Sequence, residues 1–136
     1  MKINIWQIPE EGKTLAGSEP PKALDLGTAV EVKSTGPLFY DLFLQVTGHE
    51  LIVSGSAWTE VTFICSRCAE PFFKRVQAPR LQTVVEYKDK SASIDLTPEI
   101  REAILLAFPA YPICAPACRG LCARCGTNLN KKVCRC

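Results

Sequence analysis

Residues 112–136 read PICAPACRGLCARCGTNLNKKVCRC, and six of the chain's eight cysteines lie in this run at spacing C-x3-C-x3-C-x2-C-x8-C-x-C. The other two stand upstream as Cys65-Ser-Arg-Cys68. Short cysteine couples suit a tetrahedral ion, because each couple brings two thiolates to one point. His49 is the only histidine, so sulfur must supply nearly all the ligation, and an all-sulfur set favours zinc or an iron–sulfur cluster. Two structural zinc sites are the expectation. Gly126, directly after Cys122-Ala-Arg-Cys125, permits the left-handed backbone that closes such a turn. Cys134 and Cys136 would complete that site, and Cys65, Cys68, Cys114 and Cys118 would form the other. A second grouping is open at this level, with Cys114, Cys118, Cys122 and Cys125 as one site and Cys65 and Cys68 left for another partner.

Upstream, residues 39–46 and 51–64 are rich in β-branched and aromatic side chains, with Gly48-His49 between them, which predicts a long antiparallel hairpin. His49 reads as a turn residue and Gly55 as a bulge. Cys65 and Cys68 fall where the second strand ends, and an extended pattern resumes over residues 72–87. Residues 1–9 suggest a first strand, residues 10–22 a loop, and residues 29–32 a short strand. The one convincing helix spans residues 97–108, with Thr97 as cap, Pro98 in the first turn and Glu99 at the positive end. Ile100, Ala103, Ile104 and Ala107 share a face, and Leu105, Leu106 and Phe108 widen the stripe, so burial on more than one side is expected. The fold class is α+β: an antiparallel sheet, open or closed as a barrel, with one main helix over residues 1–110. Residues 111–136 form a zinc-bound loop module packed on it through Cys65 and Cys68.

The composition is 47% apolar, enough for a real core in 136 residues. No apolar run reaches the ~20 residues of a membrane span, and the first residues do not read as a secretory signal. A reducing, cytoplasmic setting is therefore expected, in which paired cysteines point to metal more than to disulfides. The formal charge of +2 is unevenly spread: residues 1–102 carry fourteen acidic and eleven basic groups, residues 103–136 five basic groups and no acidic one. Such a basic end marks a nucleic-acid contact or a counter-charge to thiolate-bound metal. Arg119, Arg124, Lys131, Lys132 and Arg135 carry it, and Arg67, Lys74 and Arg75, beside Phe72 and Phe73, would extend it.

Enzymatic motifs are missing: there is no G-x-S-x-G, Walker loop or H-E-x-x-H, and sulfur in this quantity closes a zinc site instead of leaving it open to substrate. No catalytic residue and no small-molecule substrate is expected. A thiol redox sensor is one alternative, and a zinc-stabilised protein-interaction module without RNA contact is another.

Cys65-x-x-Cys68 followed by Pro71-Phe72, Asp95-Leu-Thr-Pro, Leu105-Leu-Ala-Phe-Pro109 and Gly120-Leu-Cys-x-x-Cys-Gly-x-Asn-Leu-Asn130 resemble the bacterial YceD family, the large ribosomal RNA subunit accumulation proteins. The resemblance covers residues 65–72 and 95–136 well. It implies a non-enzymatic ribosome-assembly factor that supports accumulation or processing of 23S ribosomal RNA. The partners it implies are the large-subunit RNA precursor or ribosomal proteins.

Overall fold

Alternation with a period of two dominates the middle of the chain and fixes its longest elements. The computed structural model describes residues 1–27 and 31–136. Among the described residues, six strands, β1 (Lys2–Asn4), β2 (Lys13–Glu19), β3 (Val32–Thr47), β4 (Glu50–Ile64), β5 (Pro71–Glu86) and β6 (Ser93–Asp95), precede one α-helix, α1 (Thr97–Leu106). Along β4 the side chains of Leu51, Val53, Ala57, Thr59, Val61 and Phe63 are all buried, with Gly55 at the intervening place in the series. The next position in that series is Cys65, which is 2% exposed. The strand's own period thus carries the first cysteine to the interior.

β2, β3, β4 and β5 form one sheet in that order, and β1 pairs with β6 in a second. β2 runs antiparallel to β3, from Lys13 opposite Leu44 to Glu19 opposite Leu38. The barrel alternative does not form, since β2 and β5 are the two ends of an open sheet. β2 has seven residues against sixteen in β5, and its side chains are mostly exposed. It has neither the length nor the apolar face to close a cylinder. β2 also corrects the expected loop over residues 10–22. Its residues show no apolar alternation of their own, so β3 supplies the pairing. Of the strand expected over residues 29–32, Val32 begins β3, and residues 29 and 30 lie outside the described residues.

The expected hairpin forms, with Gly48 (φ 62°) and His49 in its turn. Tyr87 ties that turn down, its hydroxyl donating to the Gly48 carbonyl at 2.7 Å and its N–H to the His49 carbonyl at 2.9 Å. α1 ends two residues earlier than expected and is buried on one side only: Ile100 and Ile104 are fully buried, whereas Leu106 is 80% exposed. Leu96, not Thr97, occupies the cap position, and Asp95 Oδ1 accepts the Thr97 N–H at 3.0 Å. Arg101 fastens the helix to the turn at Pro21–Leu24, donating through Nε to the Leu24 carbonyl at 2.6 Å and through Nη2 to that of Asp25 at 3.0 Å.

The chain divides into two compact units. The first comprises Met1–Asp25, Gly36–Thr59 and Val76–Phe108, and the second Leu26–Thr35, Glu60–Arg75 and Pro109–Cys136. Every cysteine belongs to the second, as do Arg67, Lys74, Arg75, Arg119, Arg124, Lys131, Lys132 and Arg135. In the first unit Phe39 stacks on Trp58 at 4.1 Å between ring centroids, and the buried Thr59 hydroxyl meets the Pro37 carbonyl at 3.0 Å.

Gly55 is not replaceable. It adopts φ 149°, and a Cβ there would run into the Asp41 carbonyl and the Leu42 Cα. Gly55→Val should lower unfolding stability by about 2–3 kcal/mol, read by urea denaturation. Loss of less than about 0.5 kcal/mol, the range of a neutral surface change, would contradict this close approach.

Candidate metal centre

The Cys65–Cys68 turn joins β4 to β5, and its backbone is closed by two hydrogen bonds. Cys65 N–H donates to Glu70 O and Ala69 N–H to Cys65 O, both at 2.9 Å. The turn at Cys122–Cys125 repeats the pattern: Cys122 N–H donates to Thr127 O at 2.8 Å and Gly126 N–H to Cys122 O at 2.9 Å. The residue after each couple is left-handed, Gly126 at φ 73° and Ala69 at φ 59°. Two copies of one turn therefore present their paired thiols alike. Ala69 fills the place that the sequence marks with glycine in only one of them.

The C-terminal segment is laced onto the first turn. Ser66 N–H donates to Pro112 O at 2.7 Å and Leu121 N–H to Arg67 O at 3.2 Å. Arg67 Nη1 reaches the carbonyls of Pro116 and Cys118, each at 3.2 Å. These bonds bring Cys114 and Cys118 to Cys65 and Cys68, and the four sulfurs lie within 4.8 Å of one another. Cys122, Cys125, Cys134 and Cys136 make a second set within the same limit. The grouping with Cys114, Cys118, Cys122 and Cys125 as one site is not the one the fold makes.

Both sets suit a tetrahedral ion. Zinc–sulfur bonds of ~2.3 Å place the sulfurs at the corners of a tetrahedron with edges of about 3.8 Å. Cys65–Cys118 and Cys68–Cys114 are each 3.8 Å apart. The second set is slightly tighter, from 3.2 Å for Cys122–Cys134 to 3.9 Å for Cys122–Cys136. N–H donors surround the sulfurs, as thiolate ligands require: Cys114 N–H to Cys65 at 3.3 Å, Asn130 Nδ2 to Cys118 at 3.3 Å, and Arg124 N–H to Cys122 at 3.4 Å. The sets differ in shelter. Cys65, Cys68 and Cys118 are buried against Phe72 and Ile113, whereas Cys125 and Cys136 are exposed.

Without an ion, each set shares its protons unevenly. Burial raises the Cys65 thiol, but the N–H groups of Cys68, Cys114 and Arg67 outweigh it and bring it to about 6. Its neighbour Cys114 is pushed up to about 12, foremost by the hydrogen bond to Cys118, then by burial. In the second set the Thr127 hydroxyl and N–H lower Cys125 to about 6. The Cys136 N–H favours the Cys134 thiolate, yet the thiols of Cys122 and Cys136 hold Cys134 protonated up to about 12. Thiols of this kind give up their remaining protons when a cation arrives.

The basic residues fall into two groups. Arg67 is committed to the carbonyls named above. Arg75 pairs with Glu60 at 3.3 Å and Lys131 with Glu70 at 3.2 Å. Lys74, Arg119, Arg124, Lys132 and Arg135 are exposed and, among the described residues, make no side-chain ion pair. Asn130 is the residue that sequence reading undervalued: besides Cys118, it holds the Arg119 N–H at 2.8 Å through Oδ1. Its place in a cysteine-flanked loop signals a turn, and nothing local signals the sulfur contact.

Residues 80–136 match the family described as Large ribosomal RNA subunit accumulation protein YceD. Over those residues the chain is similar to the YceD family. It is 30% identical over 104 residues to an uncharacterised protein of Mycobacterium tuberculosis, covering 65% of this chain and 50% of that one. Zea mays has a protein named Large ribosomal RNA subunit accumulation protein YCED homolog 1, chloroplastic, 26% identical over a 156-residue alignment that covers 80% of this chain and 53% of the maize protein. An Arabidopsis thaliana protein of the same name is 44% identical over 43 residues, 32% of this chain and 13% of its own. The chain spans about half the length of the mycobacterial and maize relatives. No solved structure matches. The YceD-matched region contains six of the cysteines, so the first set takes Cys65 and Cys68 from outside it.

Ala69→Gly tests the left-handed position. Relief of the Cβ–carbonyl clash should raise stability by about 1 kcal/mol, seen as a higher melting temperature of the metal-loaded protein. A fall in melting temperature would show that Ala69 is not strained.

Proposed function

We propose that this chain is a YceD-type, non-enzymatic ribosome-assembly factor that supports accumulation or processing of 23S ribosomal RNA. On this reading it acts through the basic surface of its cysteine-bearing unit. The carrying observation is the charge of that unit: its three segments hold nine basic and three acidic side chains, against seven and eleven in the other unit. The plant relatives' names state a role in large ribosomal RNA subunit accumulation, which agrees with that surface.

Zinc fills both sulfur sets in this reading, with Cys65, Cys68, Cys114 and Cys118 on one ion and Cys122, Cys125, Cys134 and Cys136 on the other. Its role is structural: four thiolates leave no position for substrate, and the ion would join the Cys65–Cys68 turn to the C-terminal segment. Each four-thiolate zinc adds a formal 2−, so about +2 of the unit's +6 survives when both are present. Contact with RNA then depends on where the charges stand more than on their sum. Lys33, Lys74, Arg119, Arg124, Lys132 and Arg135 are the exposed ones that make no side-chain ion pair among the described residues. The redox-sensor alternative is favoured by the exposure of Cys114, Cys125 and Cys136 and by the lowered Cys125 thiol.

Metal content tests the zinc assignment. The protein should bind two zinc ions, and Cys65→Ser and Cys125→Ser should each lose one; a count unchanged by either would refute the grouping. Because protonated thiols such as Cys114 and Cys134 must ionise to bind, zinc uptake should release protons and weaken as pH falls from 8 to 6. A pH-independent affinity would count against thiolate ligation.

Sedimentation tests the function. At low salt the tagged protein should comigrate with large-subunit precursors on a density gradient, and high salt or K132E/R135E should return it to the top. Protein confined to the top of the gradient at low salt would refute the proposal.

A further inference from the structure

Phe72 and Phe73 are adjacent on β5 and meet opposite fates. Phe72 turns inward, 5.8 Å from Phe63 between ring centroids and against the buried sulfurs of Cys65, Cys68 and Cys118. Phe73 points outward and is 64% exposed, followed directly by Lys74 and Arg75. A second aromatic ring in the same unit, Tyr111, is 81% exposed. Its backbone is not loose, because the next residue, Pro112, receives the Ser66 N–H at 2.7 Å from within the Cys65–Cys68 turn. Arg67 in that turn holds the following segment through its own carbonyl and guanidinium. Two large aromatic faces are thus displayed to solvent from hydrogen-bonded backbone, in a unit with nine basic groups.

Scattered apolar side chains on a surface need no explanation. Rings with exposed faces, carried on held backbone in a basic unit, have a particular use: a nucleobase stacks on an aromatic face while lysine and arginine take the phosphates. We infer that Phe73 and Tyr111 are base-stacking positions, and that the ligand is single-stranded RNA with unpaired bases and not an RNA duplex. The reasoning rests on the RNA contact proposed above and adds the ligand class. In an A-form duplex the bases already stack on each other, and the protein meets only phosphates, 2′-hydroxyls and groove edges. Exposed rings gain nothing there. An unpaired base offers both faces, and every base has a face, so recognition of this kind is tolerant of sequence. The metal sets would contribute by keeping the rings in place, which spares the entropy of ordering them on binding.

Fluorescence anisotropy of the zinc-loaded full chain should be measured with a twelve-nucleotide single-stranded RNA and with a blunt duplex of the same sequence. Single-strand binding should be tighter, and Phe73→Ala and Tyr111→Ala should each weaken it about tenfold, within the range for a lost base–aromatic stack. Both variants should leave duplex binding, zinc content and melting temperature unchanged, since both rings are exposed. Phe73→Trp and Tyr111→Phe should retain the affinity, whereas K132E/R135E should weaken both ligands alike. Equal affinity for the two RNAs, unmoved by the alanine variants, would overturn the stacking inference and leave the RNA reading standing. Binding to neither RNA would overturn both. Unchanged RNA affinity in the alanine variants, with loss of copurifying large-subunit proteins, would assign the rings to a protein contact and overturn the inference too.

Discussion

Four sulfurs must meet at one point although two of them lie about fifty residues from the other two in the chain, and the second unit is built to satisfy that demand. The separations are 53 residues for Cys65 to Cys118 and 46 for Cys68 to Cys114. Closing such a loop costs entropy that four side chains cannot recover by themselves. The structure meets the demand in two ways. The alternation of β4 delivers Cys65 inward, and the backbone of the Cys65–Cys68 turn accepts the returning segment at Ser66 and Arg67. Arg67 then reaches across to Pro116 and Cys118, so one residue contributes a carbonyl to one side of the returning chain and a guanidinium to the other.

This explains why basic residues close in sequence serve different ends. Arg67, Arg75 and Lys131 are engaged with carbonyls or carboxylates inside the unit. Such exposed pairs contribute little individually, but they take these side chains out of the set facing solvent. The charges left outward cluster toward the C-terminal run, where Lys132 and Arg135 flank Val133 and Cys134. With a divalent ion in each sulfur set, a positive surface on this scaffold would offset part of the negative charge of the four thiolates.

The two sulfur sets are alike in turn geometry and unlike in surroundings. The first sits against Phe72 and Ile113 with three of its cysteines buried and Cys114 exposed. The second is formed late in the chain from a loop with little apolar cover, and its order depends on N–H···S bonds from Arg124 and Cys136 and on Thr127 beside Cys125.

The sequence by itself determined the features written in neighbouring residues. The β3–β4 hairpin follows from β-branched runs around Gly48-His49, the helix from its apolar spacing, and the thiol couples from their C-x2-C and C-x-C spacings. Each is a local matter of period or turn chemistry, and each is visible without a partner. The tertiary structure alone decided the rest. β2 carries no alternation of its own and becomes a strand because β3 offers it an edge, so it could not be read from its own residues. The open sheet, in place of a barrel, follows from that strand's length and exposure. The choice between two cysteine groupings was open in the spacing and is settled by bonds from Ser66 and Arg67 to residues far along the chain. Ala69 takes the left-handed position that glycine holds in the companion turn, because the Cys65–Glu70 hydrogen bonds impose it. Which arginines and lysines face solvent was likewise undecided by their sequence, since the carbonyls and carboxylates that claim Arg67, Arg75 and Lys131 reach them only through space.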